Sequence, residues 1–461
     1  MFVKNNFKSI LLFAVFIFLQ LNIGVYAIED TVPIKSKIGI DSVAEKKLVT
    51  KIDYDDIWEK AKNHSYDLKI ADFDILISKQ GIRNARSEYY PKLTAMAGTE
   101  YTKNYRDNRD TTVMSIGESF VNPYTRYQSI FGITLSYNLF DFGVRKGNLD
   151  IAKEDVALKE LQEQEKLQEL NLTIIDTYSK ILMFKKQIEI NKEILSLAKK
   201  NLEIKQRLYD AKEISRTELN DEAVLVSDTE RKINELYGLL AESLNWLEFY
   251  TGESYSIEDL RVSVLKKPDF ETTEYTDYTK SITWQIHEKE LKKKELELKV
   301  AKRNYCPKVT AYSRYYIYGS DPISYNDSLG DIRPSNFTVG GSIMMPIFDG
   351  FKNSSLVQRL MVELKQLQVE RDKDIAQFMM KLATMRTNLI YLDKQIYSSE
   401  TAIKELTDKE KSVSRMYSKK LVTPIEVNEA KMKLLEQKIE YEKNKITFVA
   451  ILMGLQVLTT Y

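Results

Sequence analysis

The sequence predicts a mainly α protein built from a duplicated unit. Each copy joins one strand hairpin, fit for a transmembrane β-barrel, to long coiled-coil helices. Three observations carry this reading: marker residues that recur at one offset, heptad ladders between them, and alternating apolar patterns just ahead of them.

The markers come first. Phe140, Asp141 and Gly143 recur as Phe348, Asp349 and Gly350, with the phenylalanines 208 apart (348 − 140). Tyr209 and Tyr417 share that offset, and so do Glu218 and Glu426. Between them runs a ladder of Leu167, Ile174, Ile181, Ile188, Leu195 and Leu202, answered by Ile375, Leu382, Leu389, Ile396 and Ile403. Residues seven apart share a helix face only along a coiled-coil partner. Upstream, Pro91 and Pro307 lie 216 apart (307 − 91). The extra residues must fall inside the hairpin, where loops absorb insertions.

The predicted hairpins span residues 92–140 and 308–348. Phe131, Ile133, Leu135, Tyr137 and Leu139 alternate with small and polar residues, as do Phe337, Val339, Gly341, Ile343 and Met345. This is the pattern of a half-buried or lipid-facing strand. A polar segment with Asn108, Asp110, Asn122 and Pro123 reads as a long external loop. A soluble hairpin on an ordinary sheet is the alternative. Four strands are too few to close a barrel around a pore, so strands that enter a membrane require several copies of the chain.

Proline-free helices are predicted over residues 144–208 and 352–416, each roughly 100 Å long at 1.5 Å per residue. Their tips fall at 209–215 and 417–424, where Pro424 suits a restarting helix. Return helices are predicted over 217–250 and 425–457. Helices at 54–89 and 277–304 complete two walls of matched height. The first repeat is thus 51–252 and the second 277–457, with linkers at 28–50 and 253–276 and a tail at 458–461.

Lys4 and Lys8 precede an apolar run from Ile10 to Leu21, and Val25-Tyr26-Ala27 offers a cleavage site. Residues 1–27 therefore read as a signal peptide. No later stretch has the apolar length of a spanning helix. Acidic and basic residues nearly cancel, for a net charge of +1, which argues against nucleic acid as partner. Cys306 is the single cysteine, and the two histidines, His64 and His287, are expected as surface or packing residues. No metal, cofactor or catalytic motif is expected.

In its order of signal peptide, helix, hairpin, Phe-Asp junction, long helix, tyrosine-bearing tip and return helix, all repeated, the chain resembles the TolC family of outer-membrane efflux proteins. The resemblance covers residues 51–454. It implies a homotrimer with a twelve-stranded outer-membrane barrel continued by an α-helical periplasmic tunnel. It further implies passive export, by efflux or type I secretion, of substrates from an inner-membrane efflux pump or ABC transporter joined by a periplasmic adaptor. No enzymatic activity follows from it. Phe140, Asp141, Gly143, Phe348, Asp349 and Gly350 would form the barrel–tunnel junction. Glu426, Glu429, Thr217, Glu218 and Tyr417 would form the periplasmic gate with its acidic ring. Tyr209, Lys212, Lys420 and Thr423 would lie on the adaptor-docking tips.

Two departures stand out. Lys212 and Lys420 replace tip glycines, which predicts a different turn, since lysine resists positive φ. Val422 replaces an expected gating arginine, which removes that latch. The glutamates also have an alternative role, as first-turn residues that complement the helix dipole. A soluble periplasmic coiled-coil structural or adaptor protein stays open as the second reading of the whole chain.

Overall fold

The computed structural model describes residues 49–101, 127–269, 278–321 and 323–460. The predicted signal peptide, nearly all of the first linker and the long loop of the first hairpin lie outside them. The elements, in chain order, are β1 (Lys51–Ile52), α1 (Tyr54–His64), α2 (Tyr66–Ser87), β2 (Lys92–Tyr101), β3 (Tyr127–Phe140), α3 (Val144–Asp210), α4 (Arg216–Thr251), β4 (Arg261–Val262), α5 (Ile282–Arg303), β5 (Lys308–Asp321), α6 (Tyr325–Gly330), β6 (Arg333–Met344), α7 (Lys352–Ser418) and α8 (Pro424–Thr460). They fall into two compact units. One holds Ala85–Arg145 and Arg303–Phe351, and the other holds Glu45–Asn84, Lys146–Lys302 and Lys352–Tyr461.

The first unit is a four-stranded antiparallel sheet in the order β2-β3-β5-β6. Its register gives one largely apolar face and one mixed face that also carries Met96, Ile130 and Met344. Leu93 pairs with Leu135, Ala95 with Ile133 and Ala97 with Phe131. Across the next seams, Ile133 pairs with Tyr315, and Tyr315 with Phe337. Because side chains alternate along a strand, all these residues share one apolar face. On that face the one charged side chain among the described residues, Asp321, is the last residue of β5. The other face presents Thr94, Thr134, Ser136, Thr310, Arg314, Thr338 and Ser342. Aromatic residues gather at both ends. Tyr101 and Tyr127 lie with ring centroids 5.0 Å apart, and Tyr127 and Tyr325 4.7 Å apart. At the other end Phe140 meets Phe142, and Phe348 meets Phe351. Apolar bands flanked by aromatic girdles are what a lipid-facing sheet requires.

The second unit is helical. α3 and α7 each run 67 residues without proline. On α3 the predicted ladder is buried at Ile174, Ile181 and Ile188. Nearer the tip, burial moves one place back, to Ile194 and Asn201, while Leu195 and Leu202 are only partly covered. A straight helix drifts by about 20° per heptad, so a strict seven-residue ladder cannot stay buried along this length.

Three predicted boundaries are corrected. The helix expected over 54–89 is two helices, broken at Ser65, whose backbone leaves the helical region (φ −47°, ψ 125°). Ser65 Oγ accepts the Leu68 amide as the second helix starts, and His64 packs against the left-handed Gly252, so closely that a Cβ there would lie 2.7 Å from the imidazole. The predicted linker 253–276 is docked as far as it is described. Val49 bridges to Tyr255, β1 pairs in parallel with β4, and Tyr255, Leu260 and Leu265 are buried with Ile52, Ile57 and Tyr178. Tyr178 donates its hydroxyl to the Ser263 carbonyl at 2.7 Å. A two-residue strand has no periodicity for sequence reading to catch. Finally, the predicted tail is helical over its described residues, 458–460, since α8 continues to Thr460 and buries Leu455 and Leu458. Among the described residues no helix is long and apolar enough to cross a membrane.

Candidate gate at the tip and barrel junction

Both tips use the same turn. Lys212 (φ 64°) and Lys420 (φ 59°) adopt left-handed backbone. The Lys212 amide donates to the Tyr209 carbonyl at 2.9 Å, and the Glu213 amide to Leu208 at 2.8 Å. Lys420 donates to Tyr417 at 2.8 Å, and Leu421 to Met416 at 3.0 Å. This is the Schellman pattern, which satisfies the last carbonyls of α3 and α7. The expectation that lysine would change the turn is therefore not met. The two closing hydrogen bonds hold lysine in the conformation glycine takes freely, at a cost of about 1 kcal/mol per site.

Each tip then restarts a helix with a capping box. Ser215 Oγ accepts the Glu218 amide at 3.2 Å, while the Glu218 carboxylate accepts the Ser215 amide at 3.4 Å and its hydroxyl at 2.9 Å. Thr423 Oγ1 accepts the Glu426 amide at 3.4 Å, and Glu426 accepts the Thr423 amide and hydroxyl at 3.1 and 3.0 Å. Glu218 and Glu426 thus have a structural occupation of their own. Glu429 lies exposed at the rim of a groove with Asn191, Asp228, Arg231 and Glu436. Thr217 is exposed in the first turn of α4, Tyr209 is partly buried, and Tyr417 is 47% exposed. Val422 is partly buried.

Sequence reading missed the buried polar ties behind the tip. Asn201, fully buried on α3, accepts a 2.7 Å hydrogen bond from Asn428 on α8. Lys205 pairs with Glu222 of α4 at 2.7 Å, and Glu222 is 5% exposed. An asparagine beside a heptad leucine was the available signal, because core asparagines fix coiled-coil register. Deeper in the helices, His287 is not a surface residue. It is buried, with Nε2 3.1 Å from Asp374 and Nδ1 3.3 Å from Glu290.

At the junction, Asp141 is 5% exposed and gathers four donors. These are the Gly143 and Arg145 amides at 3.1 Å each, Arg145 Nε at 2.8 Å and Asn138 Nδ2 at 3.3 Å. Arg145 also donates to the Leu139 carbonyl and stacks on Tyr89. The chain turns from strand to helix through two successive left-handed residues, Phe142 (φ 56°) and Gly143 (φ 85°). In the second repeat the pair is Gly350 (φ 64°) and Phe351 (φ 65°), so glycine and phenylalanine exchange places while the backbone path is kept. Phe140 and Phe348 stand exposed beside these turns. Arg145 has no basic counterpart, since Asn353 occupies the matching place.

The chain joins such a sheet to paired long helices, a fold it shares with solved outer-membrane channels. Residues 57–253 match the family model described as outer membrane efflux protein. Solved structures share the fold over both repeats. The Campylobacter jejuni CmeC outer membrane channel is 15% identical, with a TM-score of 0.71 over 91% of this chain and 90% of that one. The Vibrio cholerae outer membrane protein VceC is 15% identical, with a TM-score of 0.68 over 88% and 96%. The Neisseria gonorrhoeae MtrE outer membrane channel is 15% identical, with a TM-score of 0.66 over 88% and 88%. No curated protein matches the chain by sequence.

Proposed function

We propose that three copies of this chain close into one duct, a twelve-stranded barrel continued by a helical tunnel. The duct passively carries solutes delivered by an inner-membrane pump through a periplasmic adaptor. One observation carries the reading: among the described residues, a four-stranded sheet with an apolar face leaves β2 and β6 as unpaired edges. In lipid, open edges are untenable, so β6 of one copy must pair with β2 of the next. The helices agree. α7 buries only Leu360, Leu382, Leu389 and Ser399 within its own protomer and exposes Met361, Val369, Met380 and Tyr391. A second apolar stripe, Tyr66, Ile70, Phe73 and Ile77, lies exposed on α2. Two unlike patches on one chain fit a head-to-tail ring.

In this reading the tips meet the adaptor through Tyr209, Lys212, Lys420 and Thr423. Glu426, Glu429, Thr217, Glu218 and Tyr417 surround the gate. The test is the mass of the detergent-solubilised protein together with single-channel recording in planar bilayers. Trimers that give discrete conductance steps support the duct. A detergent-free soluble monomer without channels would leave the periplasmic coiled coil as the better account. Glu426→Gln combined with Glu429→Gln then tests the acidic ring. A shift of the permeability ratio toward anions supports it, and unchanged ion preference leaves Glu426 as a helix-capping residue alone.

A further inference from the structure

Arg314 sits midway along β5 on the polar face of the sheet, between Tyr312 and Tyr316 on the same face. Its cross-strand neighbours are Thr134 and Thr338. Its guanidinium lies over the Tyr312 ring, 4.4 Å from the centroid. Arg314 is exposed, and among the described residues it has no carboxylate partner. The remaining charges on that face stand at the strand ends. Lys92 and Lys308 lie at one end, and Glu100 and Arg333 at the other, with Arg333 neutralised by Asp331 at 2.6 Å.

The glycines of the face explain how the tyrosines fit around this cation. A Cβ at Gly132, opposite Tyr316, would run into the Tyr316 ring, and one at Gly340, opposite Tyr312, would lie 2.8 Å from the Tyr312 hydroxyl. Both rings therefore lie down along the sheet over bare backbone. Arg314 is left as the charged group of the mid-strand belt, held on a ring face by cation–π attraction.

We infer that Arg314 forms a ring of fixed positive charge around the middle of the barrel lumen and makes the barrel favour anionic solutes. The inference rests on the duct reading above, which turns the apolar face to lipid and the polar face inward. Rings of like-charged side chains select ions of opposite sign in pores. Among the described residues the belt carries a cation without a matching acid, so a passing anion meets attraction and a passing cation meets repulsion.

The experiment is the reversal potential of single channels of the full-length protein in planar bilayers under a KCl gradient, for the parent chain, Arg314→Gln and Arg314→Lys. A unit charge about 4 Å from a passing ion in water changes each ion's passage about fivefold, in opposite directions for chloride and potassium, which predicts a fall of up to about 25-fold in the chloride-to-potassium permeability ratio for Arg314→Gln. Arg314→Lys should retain the parent ratio. Equal ratios in all three, with channels formed and trimers intact in detergent, would overturn the charged belt and leave the duct standing. Absence of channels from the parent chain itself would remove the duct reading and the belt with it.

Discussion

The side-chain amide of Asn428 on α8 donates a 2.7 Å hydrogen bond to the carboxamide oxygen of Asn201, which is fully buried on α3. The bond crosses between the two repeats just behind their tips, inside the cluster formed by Ile194, Ala198, Val226 and Met432. Asn428→Ala would strand the buried Asn201 carboxamide oxygen and should destabilise the helices by about 1–3 kcal/mol. Replacing both residues with leucine should cost much less, because no polar group is then left unpaired. Thermal unfolding followed by circular dichroism separates the cases. Equal losses in the single and double variants would show that the bond itself is not what the site requires.

The tip lysines offer a gain of stability. Lys212→Gly and Lys420→Gly place glycine where the backbone is already left-handed, and each should stabilise the protein by up to about 1 kcal/mol. Alanine at the same positions keeps a Cβ and should bring no such gain. If glycine and alanine variants melt together, backbone strain at the tips is not a cost to this fold.

Glu426 can be divided into its two roles. Glu426→Gln keeps a capping-box acceptor and should leave helix stability nearly unchanged, whereas Glu426→Ala should cost about 1 kcal/mol. An equal loss in both variants, measured as a shift in melting temperature, would mean that the negative charge at the helix start matters more than the hydrogen bonds.

Two glutamates predict opposite pH behaviour. Burial, and next the neighbouring Glu169, push the Glu165 carboxyl above the ordinary range. Its ionised form therefore weakens the folded state at neutral pH, and the penalty fades as pH falls through the raised value. Glu154 runs the other way. Burial opposes its ionisation, but Lys292 at 2.6 Å and Lys289 at 3.1 Å outweigh burial and hold the carboxyl low. Its contribution is present above the ordinary carboxylate range and is lost as pH falls through the lowered value. Glu165→Gln should thus raise the melting temperature at neutral pH and lose that advantage in acid. Glu154→Gln should lower it at neutral pH, with the deficit shrinking in acid. Differences that stay constant with pH would contradict both assignments.

At the junction, Asp141→Ala removes the acceptor of four hydrogen bonds and leaves Arg145, 11% exposed, without its carboxylate. A loss of about 3–5 kcal/mol is expected. Arg145→Met combined with Asp141→Ala should recover part of it. A double variant no more stable than Asp141→Ala would show that the backbone amides, and not the stranded guanidinium, set the cost.

The features that repeat were legible in the sequence. Phe140 and Phe348, Tyr209 and Tyr417, and the paired ladders gave the duplication, the hairpins and the long helices, because periodic patterns survive without contacts. What escaped depends on contacts between distant segments. Tyr255 and Leu260 gave no periodic signal for the docking of 253–269, and Ser65 looked like one more helical residue. The tie from Asn201 to Asn428 spans 227 positions. Lys212 and Lys420 misled for another reason. Propensity weighs one residue, while two closing hydrogen bonds fix the turn.

The exchange of phenylalanine and glycine between Phe142-Gly143 and Gly350-Phe351 shows how a duplicated gene can drift without moving its chain. At these corners both residues of the pair take positive φ in each repeat, and one member of each pair is free of a Cβ. The ancestry of the two halves is accordingly written more faithfully in torsion angles than in residue order. A comparison keyed to the order Phe-Gly would pass over a corner that the backbone still keeps.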